Sequence, residues 1–104
     1  MIFRRKRFAD VISRQLDLFE REYADLVREC EEAEQRYDEA ERDEAEERYG
    51  EYVDLVEDGT EALADIRDAF KWTLAEDDRE EYEEAFNRAV RKRLPRFGLE
   101  IDLR

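Results

Sequence analysis

The stretch from Ile12 to Ala40, ISRQLDLFEREYADLVRECEEAEQRYDEA, decides the fold. Its apolar and small positions are Ile12, Leu16, Phe19, Tyr23, Leu26, Cys30, Ala33, Tyr37 and Ala40, and the steps between them alternate four and three without a miss. That spacing keeps one face of an α-helix apolar throughout, as in the seam of a coiled coil. A second series, Ala45, Tyr49, Tyr52, Val56, Gly59, Leu63, Ile66 and Phe70, alternates in the same way. The step from Ala40 to Ala45 is five, so the two seams cannot continue as one helix. The chain is expected to turn there, with Asp43 and Glu46 as a capping signal for the second helix.

Folded back about residue 41, the two helices bring together positions whose numbers sum to about 82. Ile12 then faces Phe70, Leu16 faces Ile66, Phe19 faces Leu63 and Tyr23 faces Gly59. Nearer the turn, Leu26 faces Val56, Cys30 faces Tyr52, Ala33 faces Tyr49 and Tyr37 faces Ala45. Large residues set against small ones let facing layers interdigitate. A tyrosine opposite would explain Gly59, which costs roughly 1 kcal/mol in a helix interior relative to Ala. Thr60 as the N-cap of a new helix is the competing reading, and the unbroken spacing through Val56, Gly59 and Leu63 opposes it.

Asp77 and Asp78, followed by Glu80 and Glu81, announce a third helix that Pro95 ends. Its apolar stripe is Tyr82, Phe86, Ala89 and Val90. Secondary apolar rows, Val11 and Leu18 on the first helix and Ala62, Ala69 and Trp72 on the second, lie near the termini of the hairpin. The third helix should pack there. The expected fold is therefore all-α: a long antiparallel hairpin, about 6–40 and 43–75, with a shorter helix, about 78–93, on its base and a bare two-helix arm beyond. Residues 1–104 form one domain on the usual size prior. In the tail 95–104, Leu99, Ile101 and Leu103 alternate with Glu100 and Asp102, which reads as irregular or extended chain that lies on the bundle or docks on a partner.

Composition supports a folded chain despite its charge. Charged residues make up 49% and the net charge is −13, but apolar residues reach 41% and include six Phe, five Tyr and one Trp. One proline and three glycines leave few breakers. No apolar run approaches the roughly 20 residues of a membrane span, and no apolar core follows the basic start to make a secretory signal. A single cysteine, Cys30, cannot close an internal disulfide, so a reducing, cytoplasmic setting is expected.

The charge is not spread evenly. Residues 29–61 hold sixteen acidic and three basic side chains, a net of −13, while the rest of the chain is neutral. By the hairpin register these residues are the arm. An anionic arm suits recruitment of a basic partner, and its candidate contacts are Glu31, Glu34, Asp38, Glu41, Glu44 and Glu47. Leu99, Ile101 and Leu103 of the tail are the candidate apolar contacts.

Chemistry-bearing motifs are scarce. With no histidine and one cysteine the usual zinc and haem sites are missing, as are Ser-His and Cys-His nucleophile pairs. No phosphate-binding glycine loop occurs. A carboxylate-only site for a hard cation needs carboxylates on the inner seams, and the seams carry none. No catalytic residues, metal site or cofactor are expected. Cys30 and the tyrosines read as core, and Trp72 reads as core ahead of a partner anchor.

The segment MIFRRKRF supplies Arg4, Arg5, Lys6 and Arg7, a candidate basic surface. Cations at a helix N-terminus oppose its dipole and call for compensation. The hairpin places them beside Glu76, Asp77, Asp78, Glu80 and Glu81, so internal pairing is the first expectation. The final stretch Gly98–Arg104, GLEIDLR, resembles the short Leu/Ile peptides that dock cargo into bacterial nanocompartments, without the Gly-Ser step of that family. That resemblance implies an exposed docking tail.

These readings converge on a non-enzymatic protein–protein interaction or adaptor module that uses the acidic arm, the apolar tail or both. The expected partner is a protein, a basic one first, with a homo-oligomer open. The alternatives are a peripheral membrane or nucleic-acid-associated protein acting through the basic segment, and a carboxylate-metal enzyme.

Overall fold

The computed structural model describes residues 7–104. Among them are five α-helices and one 3-10 turn: α1 (Ala9–Glu22), α2 (Ala24–Asp38), α3 (Ala45–Lys71), α4 (Glu76–Arg93), the 3-10 turn Pro95–Phe97 and α5 (Gly98–Ile101). The protein is an all-α bundle, 51 × 24 × 24 Å in extent. No described helix is long and apolar enough to cross a membrane.

The first seam forms two helices rather than one. Helicity is interrupted at Tyr23, whose φ of −110° and ψ of 26° leave the helical well, although its amide still donates to the Phe19 carbonyl at 2.8 Å. No glycine or proline causes this break. α1 has to follow α4 while α2 follows α3, and the two paths diverge at residue 23. α3, in contrast, runs unbroken for 27 residues. Thr60 is buried within it and donates its hydroxyl to the Val56 carbonyl at 2.7 Å, a side-chain bond available inside a continuous helix.

Helix starts differ from the capping signals. Glu44, not Asp43, occupies the N-cap of α3, and Ala75 precedes α4; neither makes a side-chain cap bond. Asp77 and Asp78 fall in the first turn of α4, and Arg91, Lys92 and Arg93 in its last, each sign on the favourable end of the dipole.

The core gathers Phe8, Ile12, Leu16 and Phe19 with Leu63 and Ala64 of α3 and Tyr82, Phe86 and Val90 of α4. Tyr82 is its aromatic hub, with the rings of Phe70 at 4.9 Å, Phe8 at 5.4 Å and Phe86 at 6.0 Å. The tail completes this core, contrary to its period-two reading. Pro95 opens the 3-10 turn, and the four-residue step from Phe97 to Ile101 puts both on one helical face, where they are fully buried. Burial of two such side chains is worth about 1.5–3 kcal/mol each.

Two further placements depart from the sequence reading. Phe97, rather than Tyr23, fills the space over Gly59; Tyr23 instead stacks on Phe19 at 5.2 Å and is partly solvent-exposed. Trp72 is not core. It is 63% exposed at the C-cap of α3, and Ala69 is also exposed, so this end of the row expected to receive the third helix is outward, while Val11 and Ala62 of the same rows pack against the core.

Candidate functional site

α2 packs on α3, with Cys30, Ala33 and Val56 buried between them and the Tyr37 and Tyr49 rings 5.2 Å apart near the turn. This two-helix segment carries the acidic residues. Of the sixteen carboxylates between residues 29 and 61, fifteen are exposed and Glu51 is half-buried. Glu31, Asp38, Glu41, Glu44 and Glu47 all face solvent. Glu34 is also exposed but is met by Arg96 at 3.2 Å. Arg48 pairs with Glu51 at 2.9 Å. Among the described residues, Glu34 and Glu51 are the members of this set that form ion pairs within the chain.

Arg96 ties the tail to the arm. Its Nη1 donates to the Tyr52 hydroxyl at 3.0 Å as well as to Glu34, and its guanidinium lies 5.6 Å from the Tyr52 ring centre. Cys30 is buried near this junction, and burial pushes its thiol pKa up, which disfavours the reactive thiolate.

The tail residues named as one apolar surface separate. Leu99 is 88% exposed and Leu103 81%, but Ile101 is fully buried and cannot meet a partner. The helical turn at 98–101, in place of an extended strand, causes this split. It also means that the GLEIDLR stretch is folded onto its own bundle in this structure rather than held out as a docking peptide.

Of the basic segment, Arg4, Arg5 and Lys6 lie outside the described residues. Arg7 pairs inward. It donates to Asp78 at 2.8 Å and stands 4.0 Å from Glu81, and the Asp78 bond raises its pKa. The sequence reading put this charge beside that acidic junction.

Three features escaped the sequence. The first is Arg67, 1% exposed, which fixes the tail by donating through Nη1 to Asn87 Oδ1 at 3.0 Å and to the Ile101 carbonyl at 3.2 Å. Its Nε donates to Asp68 at 2.9 Å. The partners lie 20 and 34 residues away, so no local pattern marks the position. The second is the setting of Trp72, whose ring has Lys71 Nζ at 4.9 Å and the Arg79 guanidinium at 4.7 Å.

The third is an open groove of about 510 Å³ between α1 and α4. Ile12 and Leu16 form its floor, Ala9, Ser13, Ala85 and Ala89 its low walls, and Arg88, Lys92 and Arg93 its rim. Arg93 is engaged by Asp17 and Glu20. Arg88 and Lys92 make no ion pair with any described residue. The sequence signal was present in the alanines at 85 and 89, one helical turn apart on α4, but their neighbours on α1 were not predictable. Among the described residues, no three His, Cys, Asp or Glu side chains are grouped to hold a metal ion.

Comparison with known protein families, curated proteins and solved structures finds no match to this chain.

Proposed function

We propose that this protein is a non-catalytic interaction module whose acidic two-helix arm docks on a cationic protein surface. One observation carries the reading: fifteen exposed carboxylates are concentrated on α2, the turn and the first half of α3, and of these only Glu34 forms an ion pair with a described residue. Like charges packed this densely repel one another and lower stability, and a partner of opposite sign relieves that cost. Concentrated charge also steers encounter and raises association rates more than it raises affinity. The cations of the base, by contrast, are largely engaged by their own chain: Arg7 with Asp78, Lys71 with Glu83, Arg91 with Asp102, Arg93 with Asp17 and Glu20.

The test compares the intact protein with a variant carrying Glu31→Gln, Asp38→Asn, Glu44→Gln and Glu47→Gln. All four positions are exposed, so the fold should persist and its melting temperature should hold or rise. The intact protein, immobilised at low salt, should retain proteins that the variant loses and that about 0.5 M salt releases, since screening shortens the Debye length to a few ångströms. Identical recovery by the two proteins, or recovery of nothing, its own chain included, overturns the proposal.

A further inference from the structure

We infer that the groove between α1 and α4 receives the acidic arm of a second copy of this chain, giving a reciprocal two-fold dimer. The inference rests on the arm being the contact surface, and it names the cationic surface that the arm meets.

The base is a bundle in which one flank is covered and another is bare. The tail closes the side of α3 and α4, with Ile101 against Arg67 and Phe97 against Gly59. Nothing in the described chain fills the other flank, where α1 and α4 leave an open groove. These two helices run side by side in the same direction, from the Arg7–Asp78 pair at one end to the Arg93–Asp17 pair at the other. Their small residues leave a straight trough over Ile12 and Leu16, which is the shape that a further helix fills. Its rim bears Arg88 and Lys92, two cations with no ion pair to any described residue.

The occupant must be a helix with a slim, mildly apolar stripe and acidic ends. The chain itself supplies one. On α3, Glu46, Gly50, Val53 and Glu57 follow steps of four, three and four and share a face, with Tyr49 beside them. Tyr49 is half-exposed and Val53 half-buried. A Cβ at Gly50 would meet nothing within 4 Å, so this point of the helix is open to close approach. Small wall residues opposite a glycine let two helix backbones come together, and the acids along the stripe present the sign opposite to that of the rim.

Shape allows closure. The molecule is about twice as long as it is wide, with arm and base at opposite ends. Two copies laid side by side in opposite directions place each arm on the other's base. Both contacts are then identical, and the assembly stops at two.

Sedimentation equilibrium of the full chain between about 1 µM and 1 mM tests this. The intact protein should show the mass of two copies at the upper end. The groove pair Arg88→Glu with Lys92→Glu should weaken self-association at least tenfold, and so should the arm pair Glu46→Arg with Glu57→Arg. Combining all four exchanges restores opposite signs across the contact and should restore the dimer. Helical circular dichroism is the check that each variant folds. A single-copy mass for the intact protein throughout overturns the inference while leaving capture of other cationic proteins by the arm intact. A dimer weakened by the arm pair but not by the groove pair, or not recovered in the fourfold variant, overturns the groove assignment alone. If the arm variants neither lose partners nor change mass, both readings fall.

Discussion

The ring of Phe97 occupies the space that a side chain at residue 59 would need: a Cβ on Gly59 would stand 2.4 Å from Phe97 Cε1 and 2.9 Å from Cζ. Helix propensity alone favours alanine at an interior position by roughly 1 kcal/mol. Here the gain is outweighed. Phe97 is fully buried and packed edge-on against Phe19 at 5.7 Å, so the ring cannot simply swing aside. Overpacking of this kind costs about 1–3 kcal/mol. Gly59→Ala should therefore lower stability in urea unfolding despite its better helix propensity. Phe97→Leu is destabilising alone but should make Gly59→Ala neutral or favourable, a coupling that a double-mutant cycle reads directly. Additive effects would show that the two residues do not compete for space.

Arg67 should separate the cost of losing a charge from the cost of losing volume. Arg67→Ala removes a buried side chain and orphans Asn87 and the Ile101 carbonyl, and should cost about 3 kcal/mol or more. Arg67→Met keeps most of the volume. Moreover, Arg67 Nη2 makes no hydrogen bond to any described residue, so part of the desolvation of the guanidinium is uncompensated. The methionine variant should consequently lose only about 1–2 kcal/mol, chiefly from the orphaned acceptors. In both variants hydrogen exchange should speed up at residues 98–104, because the Ile101 anchor is gone. Equal losses for the two substitutions would contradict this account.

Tyr82 gives the protein an alkaline limit. Burial pushes its hydroxyl from the ordinary 10.0 up to about 12, and the hydroxyl donates to Gln15 Oε1 at 2.8 Å. Below pH 10 the residue is neutral in both folded and unfolded chains, and its contribution is fully present. Between pH 10 and 12 the unfolded chain releases the proton first, so stability falls as pH rises, by up to about 2–3 kcal/mol. Tyr82→Phe lacks the titrating group. Its stability curve should be flatter over that interval than that of the native protein, and parallel curves would exclude Tyr82 as the cause.

The seams were legible because periodicity is local. Ile12, Leu16, Phe19, Cys30, Ala33, Val56 and Leu63 are buried, and all lie on the four-three pattern. The inward role of Arg7 was also readable, since the position of the acidic helix start followed from the hairpin. The residues that escaped depend on distant neighbours. Arg67 is a core residue only because Asn87 and the tail come to it. Ile101 is buried only because the tail coils, and an alternation of three apolar residues in so short a segment is too weak to specify a strand. The break at Tyr23 belongs to the same group: α4 on one side and α3 on the other pull the first seam along two paths, and residues 20–26 contain no breaker that announces it.

The unbroken course of α3 has a mechanical consequence. A helix of 27 residues is a rod about 40 Å long, and it starts at the turn of the arm and ends beneath Trp72. The two cations that grip the indole belong to different bodies, Lys71 to the rod itself and Arg79 to α4. A load on the arm that tilts or twists the rod thus shears one cation past the other across the only tryptophan in the chain. The protein carries a native optical gauge at the end opposite its acidic tip, and its emission should shift with any tilt of the rod against α4.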